Sequence, residues 1–199
     1  MTLNVEHGNI TVEEAQRLGD AAWSVDDVPH EPGCTEPWVS RLVHDFIIAR
    51  GARTVLETGC FKGATSVWIA EALNRLGGGE FIACDLDTKR AAHASDRLAR
   101  LNLSDTVLRD VLAINVLDFL ARTPTRFDLA FVDDCHEKPH VTKELMLLIP
   151  KMNPGGLILL HDVFGVCDLQ EVVAKFGGYS IDLPRLGPAG GLGIIQVAR

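Results

Sequence analysis

From residue 53 onward, short apolar runs rich in β-branched residues alternate with longer segments of helical periodicity. Each run has the length of a strand, and each intervening segment is long enough for a helix that crosses over between parallel strands. This alternation is typical of α/β proteins, because crossover helices cover both faces of a parallel sheet. The chain is therefore predicted to form a doubly wound, mostly parallel sheet.

The pattern predicts both the order and the approximate limits of the elements. Five buried parallel strands are expected at residues 53–58, 80–85, 106–110, 127–133 and 156–161, with helices over about 64–76, 89–101, 115–122 and 138–149. A short helix at 168–176 and two strand-like runs at 179–183 and 193–198 follow. A Pro- and Gly-rich stretch separates these two runs, so we expect a seven-stranded sheet with an antiparallel terminal strand.

The N-terminal part, residues 1–51, is predicted to be a helical segment of one domain that spans 1–199. Thr35-Glu36-Pro37 opens an apolar helix that Gly51 is placed to end. An earlier helix is expected to begin at Thr11, which forms a capping-box pattern with the following acids. Residues 25–33 between these helices form a loop that could reach over a ligand.

Composition excludes several classes of protein. The chain has 199 residues and a formal charge of −8, and its basic residues are scattered, which argues against nucleic-acid binding. Its apolar runs are far shorter than the roughly 20 residues that cross a bilayer, and the first residues do not resemble a secretory signal. The 5 cysteines include no Cys-x-x-Cys pair and are interpreted as reduced thiols, so a cytoplasmic location is expected.

A glycine turn follows the first predicted strand of the α/β region. Glu57 lies near the end of that strand, and Gly59 and Gly63 form a Gly-x-x-x-Gly turn that leads into a helix. Glycines allow a ligand to lie against the backbone, but the Walker and dinucleotide fingerprints are both absent. The turn alone is equally compatible with a tight strand-to-helix connection.

Asp85 favours ligand binding over a purely structural role for the glycine turn. It ends the next strand about 20 residues further on, where a carboxylate can accept hydrogen bonds from the two hydroxyls of a ribose. The other interpretation is that Asp85 caps the following helix, although Asp87 is better placed to do so. The turn and the acid together indicate a nucleoside ligand.

The segment from Arg53 to Val163 resembles the class I S-adenosylmethionine-dependent methyltransferases. "VLETGCFKGATSVWIAEAL" is similar to their first motif, "FIACDLD" to their second, and the run that includes Pro154-Gly155-Gly156 to their fourth and fifth strands. The resemblance implies a Rossmann-like fold and transfer of a methyl group. It also implies a set of cofactor-binding residues: Glu57, Gly59, Cys60, Phe61, Gly63 and Thr65 at the methionine part, Asp85 at the ribose, Asp110 and Val111 at the adenine edge, with Leu86 and Asp133 completing the set.

Two acids lie at the ends of neighbouring strands: Asp133 ends the fourth, and Asp162 follows the fifth. The carboxyl ends of these strands open into one crevice, where two carboxylates suit a hard divalent cation such as Mg²⁺. The placement resembles metal-dependent O-methyltransferases of the catechol type and the cephamycin and macrolide-sugar groups, in which the fifth strand ends in an acid pair. Here the pair is His161-Asp162, so His161 is a candidate third ligand that would equally suit Fe²⁺ or Mn²⁺.

His136 lies three residues beyond Asp133, in a pattern similar to Asp-x-x-His of that group. Its pKa range suits a general base, so His136 and Asp133 are the candidate catalytic residues. His136 could instead cap the next helix or face solvent, and Asp134 and Glu137 could only add negative charge to that helix start. Cys135, His136 and His140 suggest zinc, but the sequence supplies no obvious second half for such a site.

The predicted function is methyl transfer from S-adenosylmethionine to a small-molecule acceptor, most simply at oxygen, and a homodimer is one assembly compatible with it. Two alternatives stay open. A nicotinamide-dependent oxidoreductase would share the glycine turn and Asp85, but lacks its fingerprint here. A non-catalytic nucleoside-binding protein would not need Asp133 and Asp162.

Overall fold

The computed structural model describes residues 3–5, 8–10 and 33–198, and the chain forms two compact units, Met1–Glu31 and Pro32–Arg199. In the first unit, β1 (Leu3–Val5) pairs antiparallel with β2 (Gly8–Ile10). The prediction of a helical segment over 1–51 was therefore wrong for these residues, since β-branched Val5 and Ile10 favour extended backbone. The helix expected at Thr11 and most of the loop expected at 25–33 lie outside the described residues.

The second unit contains the predicted alternation of strands and helices. In chain order its elements are α1 (Pro37–Arg50), β3 (Thr54–Thr58), α2 (Ala64–Arg75), β4 (Gly79–Asp85), α3 (Thr88–Ala99), β5 (Val107–Ala113), α4 (Val116–Arg122), β6 (Phe127–Val132), α5 (Lys138–Leu148), a 3₁₀ turn (Ile149–Lys151), β7 (Met152–Gly165), α6 (Gln170–Lys175), β8 (Tyr179–Ile181) and β9 (Ala189–Gln196). The helix predicted to open at Thr35-Glu36-Pro37 begins at Pro37 and ends at Gly51, which has the left-handed conformation.

Seven strands form one sheet in the order β5-β4-β3-β6-β7-β9-β8. The first five are parallel, and β9 runs antiparallel to both of its neighbours, β7 and β8. The predicted doubly wound, mostly parallel sheet with an antiparallel terminal strand is confirmed. Strand order reverses between β3 and β6, which is where such sheets open a crevice at their carboxyl ends.

Strand residues alternate between two cores, one on each face of the sheet. In β6, Leu129 and Phe131 belong to the core that also contains residues of α1, α2 and α3. Ala130 and Val132 belong to the core beneath α4, α5 and α6. Since side chains along a strand point alternately to opposite faces, the position of a residue determines which helices its side chain faces.

Two of the five parallel strands differ by more than one residue from their predicted limits. β5 continues to Ala113 rather than ending at 110, and β7 spans Met152–Gly165 rather than 156–161. β7 is extended because its last residues still pair with β9, across a register shift between His161 and Phe164. In the antiparallel part, β8 ends at Ile181 rather than 183, and β9 spans Ala189–Gln196 rather than 193–198. Among the described residues, none of the helices is both long and apolar enough to cross a membrane.

Candidate active site

Residues from the two sides of the switch point meet at Gly59. Its φ of 76° is left-handed, and a Cβ built there would lie 2.2 Å from the carbonyl oxygen of Asp133 and 2.5 Å from the Cα of Asp134. Only glycine allows this approach. The turn after β3 is therefore packed directly against the chain that leaves β6.

The glycine turn is held by backbone hydrogen bonds. The amides of Gly59 and Cys60 both donate to the carbonyl of Cys84, at 2.8 and 3.1 Å, and the amide of Gly63 donates to Cys60 at 2.7 Å. Phe61 also has a left-handed φ, 46°, which is uncommon for a residue with a side chain. Strain of this kind is retained where the surrounding structure enforces it, often at ligand sites.

Asp85 joins this turn to the start of the next helix. Its carboxylate accepts the amides of Phe61 and Asp87, both at 2.9 Å, and it is almost fully buried. Asp87, not Asp85, is the cap of α3, accepting the amides of Lys89 and Arg90. The capping interpretation of Asp85 was therefore wrong, and the carboxylate instead shapes the rim of the crevice beside the exposed side chain of Leu86.

Glu57 is buried at the end of β3 and accepts a short hydrogen bond from the hydroxyl of Ser66. Burial raises its pKa to about 8, against the effect of the Ser66 hydroxyl, and the charges of Asp133 and Asp85 raise it further. Ser66 was missed in the sequence, because only its position on the first turn of α2 brings it to Glu57. Glu57 thus holds its proton more tightly than an exposed carboxyl group does.

Some predicted cofactor-binding residues do not present side chains to this crevice. The Cys60 side chain belongs to the core on the α1 side, and the Thr65 hydroxyl bonds the Ser40 hydroxyl at 2.9 Å. Asp110 pairs with Ile82, three residues before the carboxyl end of β5, whereas Ala113 pairs with Asp85. Placing the strand end at 110 therefore also placed Asp110 and Val111 too close to the predicted ribose site.

Four ionisable side chains form an edge cluster: Asp133 and His136 from the loop after β6, and His161 and Asp162 from β7. Each of them offers one atom that could ligate a metal ion, and these four atoms all lie within 4.8 Å of one another. Asp133 Oδ1 is 3.2 Å from His136 Nε2 and 3.0 Å from His161 Nδ1. Asp162 lies 3.5 Å from His161 Nδ1 and 3.6 Å from His136 Nε2. The residues predicted as catalytic or metal-ligating are brought together.

Two residues that the sequence analysis did not assign to the site complete this arrangement. Glu36 Oε2 lies 2.8 Å from His161 Nε2, and the Thr35 hydroxyl donates to Asp133 Oδ2 at 2.7 Å. Glu36 is the first residue before α1, but its side chain makes no capping hydrogen bond. The only sequence signal was an acid beside the helix start, which more commonly serves as a local cap.

A β-bulge directs Asp162 into the cluster. Regular alternation would direct Asp162 to the face opposite His161. Instead Asp162 has a left-handed φ of 55°, within the register shift of β7, and its carboxylate approaches His161. Bulges often redirect side chains next to active sites.

The cluster pairs carboxyl groups with imidazole side chains. Burial disfavours ionisation of Asp133, but the charge of His161 and hydrogen bonds from both histidines hold its pKa well below the ordinary value. Burial lowers the pKa of each histidine, yet Asp133 outweighs it and raises both, with Glu36 adding to the rise for His161. Burial, reinforced by Asp133, raises the pKa of Asp162.

The sheet order, the glycine turn and the acidic strand ends are typical of α/β proteins that bind a nucleoside in the crevice at the switch point of the sheet. More specifically, the chain belongs to a methyltransferase family: residues 56–163 match the family described as "Methyltransferase domain". The match includes the glycine turn, Asp85 and the whole edge cluster. The oxidoreductase and the non-catalytic alternatives find no support in it.

Individual relatives agree with this family. The chain is 32% identical over 114 residues to a catechol O-methyltransferase of Niastella koreensis, a stretch covering 56% of this chain and 50% of that protein. The chain thus spans about half the length of this curated relative.

Two solved structures share the fold. One is the O-methyltransferase TomG of Streptomyces achromogenes, involved in tomaymycin synthesis and solved with S-adenosylmethionine (20% identity, TM-score 0.65, 96% of this chain and 100% of that one). The other is an O-methyltransferase of Bacillus cereus solved with S-adenosylhomocysteine (22% identity, TM-score 0.65, 94% and 90%).

Proposed function

We propose that this protein transfers a methyl group from S-adenosylmethionine to a hydroxyl group of a small molecule. The observation that carries the proposal is the packing of the glycine turn against Asp133, which puts the edge cluster beside the nucleoside crevice. We propose a catechol as the acceptor, because one relative is a catechol O-methyltransferase. The two adjacent oxygens of a catechol could both bind a divalent cation held by the edge cluster.

The residues of the turn fit the proposed cofactor. Gly59 and Gly63 leave backbone bare of side chains, Asp85 supplies a carboxylate at the ribose position, and Leu86 offers an exposed apolar side chain for the base. Glu57 would receive the amino group of the methionine part, whose charge favours its ionised form. When bound, the cofactor supplies an electrophilic methyl group.

A divalent metal also fits the edge cluster. Ligand atoms about 2.0–2.2 Å from an ion lie roughly 3 to 3.5 Å apart, and the distances from His161 Nδ1 to Asp133 and Asp162 are 3.0 and 3.5 Å. Glu36 holds the other ring nitrogen of His161, as carboxylates commonly do behind a metal-ligating histidine. Asp133, His161 and Asp162 would hold the ion, and the imidazole favours Mn²⁺ or Fe²⁺ over Mg²⁺.

His136 is the proposed general base. When bound, a divalent ion lowers the pKa of an acceptor hydroxyl and fixes its position. His136 Nε2 would take the hydroxyl proton, and the neighbouring carboxylates of Asp133 and Asp162 stabilise the resulting imidazolium. The cytoplasm is the location we propose, because Cys60, Cys84, Cys135 and Cys167 are reduced thiols and the sequence has no Cys-x-x-Cys pair.

The proposal is tested by calorimetry and turnover on the full chain. We expect S-adenosylhomocysteine to bind with micromolar or better affinity and NAD not to bind. With a catechol acceptor, chelated protein should be inactive and recover with Mn²⁺ or Fe²⁺. Asp133→Asn and Asp162→Asn should each abolish that recovery while changing cofactor affinity less, and Glu171→Gln, an exposed acid, serves as the control.

Clear outcomes would contradict each part. A preference for NAD would reject the cofactor. Full turnover in excess chelator would reject the metal and leave the acids to position the acceptor by hydrogen bonding alone.

A further inference from the structure

A second group of metal-type side chains lies beside the edge cluster. It consists of Asp134, from the loop after β6, and of His140 and Glu144, from α5. Each offers one atom that could ligate a metal ion, and these three atoms lie within 4.8 Å of one another. His140 and Glu144 are four residues apart and so share one face of the helix. We call this group the α5-side cluster.

The two clusters are separate because strand residues alternate. Phe131 contributes to the core on the α1 side, and Asp133, two residues later, contacts Thr35 from the segment before α1. Val132 contributes to the core on the α5 side, and Asp134 contacts His140 of α5. Adjacent acids thus serve opposite faces of the sheet.

Glu144 is the least expected member of the α5-side cluster. Its side chain has no solvent exposure, and both carboxylate oxygens lack a hydrogen-bond partner among the described residues. Asp134 Oδ1 and the hydroxyl oxygen of fully buried Thr58 are likewise unpartnered there, and Thr58 faces the Glu144 carboxyl. Buried polar atoms are nearly always satisfied, so four in one place indicate a missing partner.

A proton shared between Asp134 and Glu144, with the Thr58 hydroxyl donating to Glu144, is the alternative to a bound ion as a way to satisfy these oxygens. It requires no metal, so titration with Zn²⁺ distinguishes the two. A cation among these residues would satisfy several oxygens at once, since carboxylate and hydroxyl oxygens can all coordinate it. The imidazole adds a nitrogen: His140 Nε2 lies 2.9 Å from Asp134 Oδ2 and 3.8 Å from Glu144 Oε2. These distances bracket the roughly 3 to 3.5 Å between ligands of one small ion.

We propose that Asp134, His140 and Glu144 form a second, structural site for a divalent transition-metal ion such as Zn²⁺, lined by Thr58. Two carboxylates and one imidazole match the donor types of Zn²⁺, whose preferred ligands include nitrogen as well as oxygen. The ion would tie the loop after β6 to α5 and so support the backbone that carries Asp133. This site does not depend on the proposed function of the edge cluster.

The test removes the edge cluster as a competitor. Full-length protein carrying Asp133→Asn and Asp162→Asn is stripped with chelator and titrated with Zn²⁺ by calorimetry, and with Co²⁺ by visible absorption. We expect one equivalent of Zn²⁺ and a rise in melting temperature, because an ion that binds only the folded state stabilises it. Adding His140→Ala or Glu144→Gln should abolish both effects, whereas adding Glu171→Gln should leave them unchanged.

Two results would overturn the proposal: a folded parent variant that binds no Zn²⁺, or retention of the equivalent in both added variants. His140 is partly exposed, so His140→Ala decides the question if Glu144→Gln does not fold. Wild-type protein distinguishes the two sites. It binds two equivalents if the edge cluster is also a metal site, and one if only the α5-side site exists.

Discussion

Glu57 shows how one buried group can make stability depend on pH. Its pKa is about 8 in the folded protein, against an ordinary value of 4.5. Between these values the folded state keeps a proton that the unfolded state has released, so raising the pH favours unfolding by about 1 kcal/mol per pH unit.

Glu57→Gln should remove this dependence. Gln has no proton to lose, so the free energy of unfolding of wild type minus that of the variant should fall as the pH rises from 5 to 8. Denaturant titrations across that range measure the difference, with Glu171→Gln as the control. Parallel pH profiles for wild type and Glu57→Gln would show that Glu57 is already ionised in the folded protein.

His136 offers a second test at the scale of one residue. His136→Ala should lower the rate of methyl transfer by about 10² to 10⁴, the usual contribution of a general base. Affinity for S-adenosylhomocysteine should be nearly unchanged, because within the described residues the contacts of His136 are with the edge cluster rather than with the glycine turn. If His136→Ala has wild-type turnover, His136 is not the general base and is only a partly exposed residue beside the start of α5.

At the scale of elements, α1 matters through the residues that precede it. Glu36 reaches His161 across 125 residues of sequence and bonds the nitrogen that faces away from Asp133. Glu36→Ala should therefore weaken Mn²⁺ binding by 10- to 100-fold, as for other carboxylates behind metal-ligating histidines. Glu36→Gln, which keeps an acceptor oxygen, should weaken it less. Competition against a metal-sensitive dye measures both, and equal affinities for the two variants and wild type would contradict the role.

Sequence patterns predicted the strands because period-two and helical periodicities are local properties. They also placed Asp133, His161 and Asp162 together, since carboxyl ends of neighbouring parallel strands share one edge. They could not find Glu36, whose partner is remote in sequence, or the bulge that directs Asp162 toward His161. They misplaced the end of β5, because the apolar run continues beyond 110 without a local stop signal.

For the whole molecule, we propose that residues 1–199 unfold as a single domain. The first compact unit has only about 30 residues, and segments below roughly 40 residues seldom hold a core of their own without disulfides or metals. Calorimetry of metal-free protein should therefore show one transition, with calorimetric and van 't Hoff enthalpies equal. Two separate transitions would show that the units are independent.

The contact between Gly59 and the carbonyl of Asp133 has a thermodynamic consequence. The turn proposed to bind the nucleoside and the backbone bearing the edge cluster touch there, so we propose that movement of one is transmitted to the other. Any factor by which S-adenosylhomocysteine changes the dissociation constant of the metal must equal the factor by which the metal changes that of S-adenosylhomocysteine. The two ligands then act as mutual effectors, and the order in which they bind leaves the total binding free energy unchanged.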